Sequence, residues 1–136
     1  MGWRKGLWQR ARQGIPALLE VDALLQAQGV LAALPGAGSV PGVVGFRLAP
    51  GSCEALQQHG LGWLEPAQHG RGPLAGRVAQ YRPWRSGAGA LAEVGALGLP
   101  QDWPAYAAVF GCRSLEGRHW LLVLPARGQL WLGWQR

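Results

Sequence analysis

The sequence predicts an α+β fold, a central antiparallel sheet of five or six strands with flanking helices. Three observations lead there. Two apolar runs, Tyr106–Cys112 and Arg118–Leu124, flank Leu115-Glu116-Gly117, the composition of a hairpin turn. A further run, Gln129–Trp134, alternates leucine and tryptophan after the Pro125 and Arg127-Gly128 break. The first third instead spaces its apolar residues by three and four, the period of amphipathic helices. At 136 residues the chain suits one domain, 1–136.

Taken in order, residues 1–15 read as a basic amphipathic N-terminal helix, followed by a core over 17–134. Trp3, Leu7 and Ala11 stand at i, i+4 and i+8, with Trp8 and Ile15 close to that stripe and Arg4, Lys5, Arg10 and Arg12 nearby. Such a stripe packs on its own domain or on a second copy as a homodimer; tryptophan among basic residues also suits an anionic membrane surface. Gly14-Ile15-Pro16 breaks the helix. From Ala17 to Leu34, Leu18, Val21, Leu25, Leu31 and Ala32 roughly keep helical spacing, and Glu20 and Asp22 suit a first turn. Gly29 divides this stretch into one helix or two. Residues 36–42 form a Gly/Pro/Ser loop.

Val43–Leu48 reads as a strand ended by an Ala49-Pro50-Gly51 turn. Cys53–Leu61, low in apolar content, reads as an edge strand beside it. Gly72-Pro73 opens a short helix over 72–80, because proline is preorganised for a first helical position. Leu74, Ala75 and Val78 make its apolar face, Arg77 and Gln80 point away, and Pro83 ends it. Residues 85–104 are a Gly/Ala-rich loop with a brief helix near Leu91–Leu97. A loop of that length implies that it covers a binding site.

Composition narrows the chemistry. The net charge of +6 favours acidic partners in general, including nucleic acid, membrane surfaces and anionic metabolites. No apolar stretch approaches the roughly 20 residues of a spanning helix, and none has the form of a secretory leader, so a cytoplasmic location is the expectation. Two cysteines, Cys53 and Cys112, make no disulfide framework and are expected to be reduced and packed. Cys53, His59, His69, Cys112 and His119 lack the paired spacing of a zinc site. The serines lack a nucleophile elbow, and the seven carboxylates are scattered singly, without a pair for acid/base work. Gly87-Ala-Gly-Ala-Leu-Ala92 follows no apolar strand, which a dinucleotide turn requires, and there is no phosphate loop. Arg82, Arg85 and Arg118, with the basic front helix, could hold phosphates without reading bases. No helix-turn-helix or strand-borne stacking motif accompanies them.

The run Gly72-Pro-Leu-Ala-Gly-Arg-Val-Ala-Gln-Tyr-Arg-Pro83 resembles the centre of a GAF domain, and the order of elements resembles that family from about Ala17 to Leu124. The late hairpin followed by Leu-Val-Leu-Pro-Ala is similar to the family's, whereas its closing helix is replaced by Gln129–Arg136, which reads as strand. The resemblance implies a profilin/PAS-like sheet and a pocket between that sheet and the short helix. Lining candidates are Phe46, Leu74, Arg77, Trp84, Trp103, Tyr106 and Phe110, a set suited to a planar or anionic small molecule. The implied function is a non-catalytic sensor or regulatory module of signalling, binding a small molecule or a protein partner, with no cofactor named. A sulfoxide-reductase-type enzyme is the second reading, although Leu74 stands where those enzymes carry cysteine. The cyclic-nucleotide set of the family is absent, since the chain contains no asparagine. A basic accessory protein on nucleic acid or a membrane surface is the third.

Overall fold

The computed structural model describes residues 2–28, 42–74, 76–94 and 108–134. Six strands form one sheet in the order β1-β2-β8-β7-β6-β5, every neighbouring pair antiparallel. These are β1 (Val21–Gln28), β2 (Gly42–Leu48), β5 (Arg85–Ser86), β6 (Phe110–Arg113), β7 (His119–Leu124) and β8 (Gln129–Trp134). A separate hairpin pairs β3 (His69–Leu74) with β4 (Arg77–Gln80). The helices are α1 (Gly2–Arg12), α2 (Pro50–His59), α3 (Leu61–Leu64) and α4 (Gly87–Val94). The expected α+β class with a largely antiparallel sheet is what forms.

Both faces of the central strands are covered, so β7 and β8 are apolar almost without interruption, as doubly buried strands must be. On one face Val44, Phe46, Leu121, Val123, Leu130 and Leu132 pack with Ala11 and Ile15 at the end of α1 and with Leu56 and Leu64 of α2 and α3. On the other, Val43, Trp120, Leu122, Leu124 and Trp131 cluster with Leu91 of α4.

Three tryptophans lie directly across from glycines. Trp134 pairs with Gly42, Trp131 with Gly45 and Trp120 with Gly133. A Cβ on Gly45 would stand 2.7 Å from Trp131 Cζ3, and one on Gly133 or Gly42 would run into the opposing indole. The glycines give each ring a flat backbone to lie on, which is how a narrow sheet accommodates so many indoles.

Four expectations are corrected. The helix expected over 17–34 is strand β1 across Val21–Gln28, and residues 29–34 lie outside the described residues. Register breaks at Val21/Ala23 and Leu24/Gln26 insert an extra residue each, so Val21, Leu24 and Ala27 oppose Leu48, Phe46 and Val44. Two bulges thus turn a period of two into a period of three, which imitates a helix. The edge strand expected over 53–61 is α2: Pro50 occupies its first turn, where the missing N–H costs nothing, and Gly60 (φ 59°) ends it. The helix expected over 72–80 is the β3–β4 hairpin. Gly76 (φ 83°) supplies the left-handed turn residue, and Leu74 pairs with Arg77 across it. The backbone of Gln13–Ile15 lies along β3, accepting hydrogen bonds from the N–H groups of Arg71 and Gly72. A side chain on Gly70 would meet the Gln13 carbonyl oxygen at 2.5 Å, so β3 needs small residues there. The brief helix expected near Leu91–Leu97 starts earlier, at Gly87.

Candidate functional site

The structure divides the expected lining residues. Phe46, Trp84 and Phe110 meet in one buried cluster, at 0%, 7% and 6% exposure. Phe46 takes the Trp8 ring at 5.5 Å between centroids, tilted by 56°. Trp84 donates its Nε1–H to the Ala67 carbonyl at 2.7 Å, so its polar edge is satisfied inside the protein. Arg77 lies apart from them: its side chain is 80% exposed, and it pairs with Glu116 at 3.0 Å. Leu74 stands at the turn of the β3–β4 hairpin, across from Arg77. Trp103 and Tyr106 lie outside the described residues.

Several groups capable of chemistry serve the fold. The Tyr81 hydroxyl donates to the Gly14 carbonyl at 2.6 Å, and burial holds its pKa well above the ordinary phenol range. Cys53 is half-buried with its thiol 3.7 Å from the Leu48 carbonyl; burial first, and the Asp22 carboxylate second, push its pKa up, away from the thiolate that a nucleophile needs. Cys112 is buried. Among the described residues no three His, Cys, Asp or Glu side chains come together as a metal site, and no helix is long and apolar enough to cross a membrane.

What the hairpin and the sheet jointly present is a charged surface. The Leu115 N–H donates to the Gln80 carbonyl at 2.8 Å, and the Arg82 N–H donates to that of Arg113 at 2.9 Å. Tyr81 bridges to Ser114. The segment from Arg77 to Arg82 therefore runs beside the turn joining β6 to β7. Val78 (45%) and Leu115 (56%) are exposed there, with Arg77, Arg82 and Arg118 exposed around them and Glu116 engaged by Arg77. The basic members Arg82 and Arg118 stood out in the sequence. The aliphatic centre did not, because Val78 counted as a core position of a helix that is absent.

Behind this surface lies His119. Its Nε2 is sealed from solvent without a hydrogen-bond partner among the described residues. Burial lowers its pKa below 6.5, with the Glu116 carboxylate opposing and the Arg118 charge adding a smaller lowering. The neutral ring is thus favoured in the folded state. As pH falls through about 6.5 the unfolded chain takes up a proton that the folded chain refuses, so folding stability must fall until the lower folded pKa is passed. Urea midpoints between about pH 7.5 and 5.5 should decline more steeply for the wild type than for His119→Gln. Parallel curves would remove His119 as the cause.

Compared with known proteins, the chain matches no family model, no curated protein and no solved structure.

Proposed function

We propose that this chain is a non-catalytic interaction module that binds an acidic protein segment on the surface formed by β4 and the β6–β7 turn. The observation carrying this reading is the juxtaposition of exposed Val78 and Leu115 with Arg77, Arg82 and Arg118. Aliphatic contact area ringed by guanidinium groups suits a segment with leucine-like residues spaced among carboxylates. Single-stranded nucleic acid is the poorer fit, since its bases stack on aromatic platforms. The exposed large apolar residues described here are all aliphatic. The regulatory, non-catalytic class implied by the sequence is kept. The interior pocket is not needed for it, because Phe46, Trp84 and Phe110 are buried in the core.

A fluorescently labelled peptide alternating glutamate with leucine provides the test. Its affinity should fall at least about tenfold between 50 and 200 mM salt, because exposed charges are screened within a Debye length of about 8–10 Å. Arg82→Glu with Arg118→Glu should remove the binding while leaving the folding stability from urea unfolding within about 0.5 kcal/mol, as exposed positions usually do. Binding that ignores both salt and charge reversal contradicts the reading. So does tighter binding of a single-stranded oligonucleotide that the same variants abolish.

A further inference from the structure

How the acidic segment is held follows from the outer edge of β4, and the inference rests on the surface reading above. Pro73 stands opposite Val78 in the β3–β4 ladder and has no N–H to give. An antiparallel pair that exchanges hydrogen bonds needs that donor, so Pro73 and Val78 form a non-hydrogen-bonded pair. The N–H and C=O of Val78 therefore turn away from β3. Gln80, two residues on, faces the same way, its carbonyl accepting from the Leu115 N–H at 2.8 Å. The next amide, that of Tyr81, turns back and donates to the Gln68 carbonyl at 2.8 Å. Backbone groups thus alternate between the two edges of β4 as they must.

At Leu115 the β6–β7 turn parts from β4. The Gly117 N–H donates to the Ser114 carbonyl at 2.9 Å, and the chain reverses there. From Gln80 back to Arg77, no described strand pairs with the outer edge. The Val78 N–H and C=O and the Gln80 N–H have no partner among the described residues. Arg77, Val78 and Gln80 are all exposed, so this edge faces solvent. One side chain of the turn, Glu116, pairs with Arg77 at 3.0 Å. Both partners are largely exposed, and an exposed ion pair is weak enough for a competing carboxylate to replace.

We propose that the acidic segment binds extended, adding a third strand to the β3–β4 hairpin along the outer edge of β4. Its backbone pairs with the Val78 N–H and C=O and with the Gln80 N–H. An apolar side chain of the segment lies beside Val78, and a carboxylate takes the place of Glu116 at Arg77. In such additions main-chain bonds give affinity and alternate side chains give specificity. Edge strands are ordinarily shielded by charge. Here the charge is basic, with Arg77 opening β4 and Arg82 following it, which turns away a basic strand and admits an acidic one. A second copy of this chain is for that reason the poorer occupant, since it would set the same arginines against each other.

The test uses three forms of the glutamate–leucine peptide: unmodified, N-methylated at every leucine amide, and N-methylated at every glutamate amide. In an added strand every second amide points at the neighbouring edge. One methylated form should therefore lose at least about tenfold in affinity, while the other binds as the unmodified peptide does. Hydrogen exchange of the intact protein supplies a second readout: the Val78 amide should exchange at least about tenfold more slowly with the unmodified peptide bound. Equal affinities of the two methylated forms, whether kept or lost, overturn the added strand and leave the surface reading standing. Absence of binding by the unmodified peptide removes both. A Val78 amide left unprotected in the saturated complex also overturns the added strand. So does protection that arises from self-association without peptide, which would put a second copy on this edge.

Discussion

Phe46→Ala should lower folding stability by about 3–5 kcal/mol, the range for removing a phenyl ring from a filled interior. Phe46 has no exposed surface, takes Trp8 against one side and shares its cluster with Trp84, Phe110 and Leu132. It sits on β2 opposite Leu130 on one flank and Leu24 on the other, so a truncated side chain leaves a void that backbone movement cannot close. Urea unfolding gives the measurement: a lower midpoint at unchanged slope reads directly as lost stability. The size of the loss discriminates between two roles. A ring lining an open ligand pocket is solvated on one side and would cost much less, about 1 kcal/mol, because most of the transfer and cavity terms vanish.

The second large effect has a sign opposite to the usual one. Glycine within a strand ordinarily weakens it, so replacement by alanine gains about 0.5–1 kcal/mol. Gly133→Ala should instead lose about 1–3 kcal/mol, as overpacking does, because the new methyl group would occupy the space of the Trp120 indole directly across the β7–β8 ladder. That ring is itself buried and has no room to swing aside. Gly45→Ala should behave likewise against Trp131. A double-mutant cycle isolates the cause: in a Trp120→Leu background the Gly133→Ala penalty should largely disappear. A penalty of the same size without the indole would mean that the glycine is required for some other reason.

The legible parts of the fold were those in which local pattern and tertiary environment agree. β2, β7 and β8 are mainly apolar runs, and Gly117 in the left-handed region closes the β6–β7 turn where Leu115-Glu116-Gly117 predicts one. At the end of α1, Ala11 is buried with Trp8 packed against the same cluster, and Ile15, just past the helix, joins them. Elsewhere the tertiary context decided. Bulges gave β1 the spacing of a helix, and a proline that reads as a turn is the first residue of α2. At Gly72-Pro73 a glycine that suits a helix start is small because the Gln13 side chain lies against it, which only the folded chain brings near. The same error hid the surface, since Val78 on a helix belongs inside and Val78 on β4 stands half in water. Arg71 gave no signal at all: its partners are carbonyls more than 50 positions away.

The most direct test of the account is to map backbone amide shifts as the glutamate–leucine peptide is added to the isotopically labelled protein. Perturbations centred on Val78, Arg82, Leu115 and Arg118, with Phe46 and Phe110 unmoved, are the predicted result. Shifts concentrated at Phe46, Trp84 and Phe110, with the arginine surface unaffected, would contradict it and place binding inside the sheet instead.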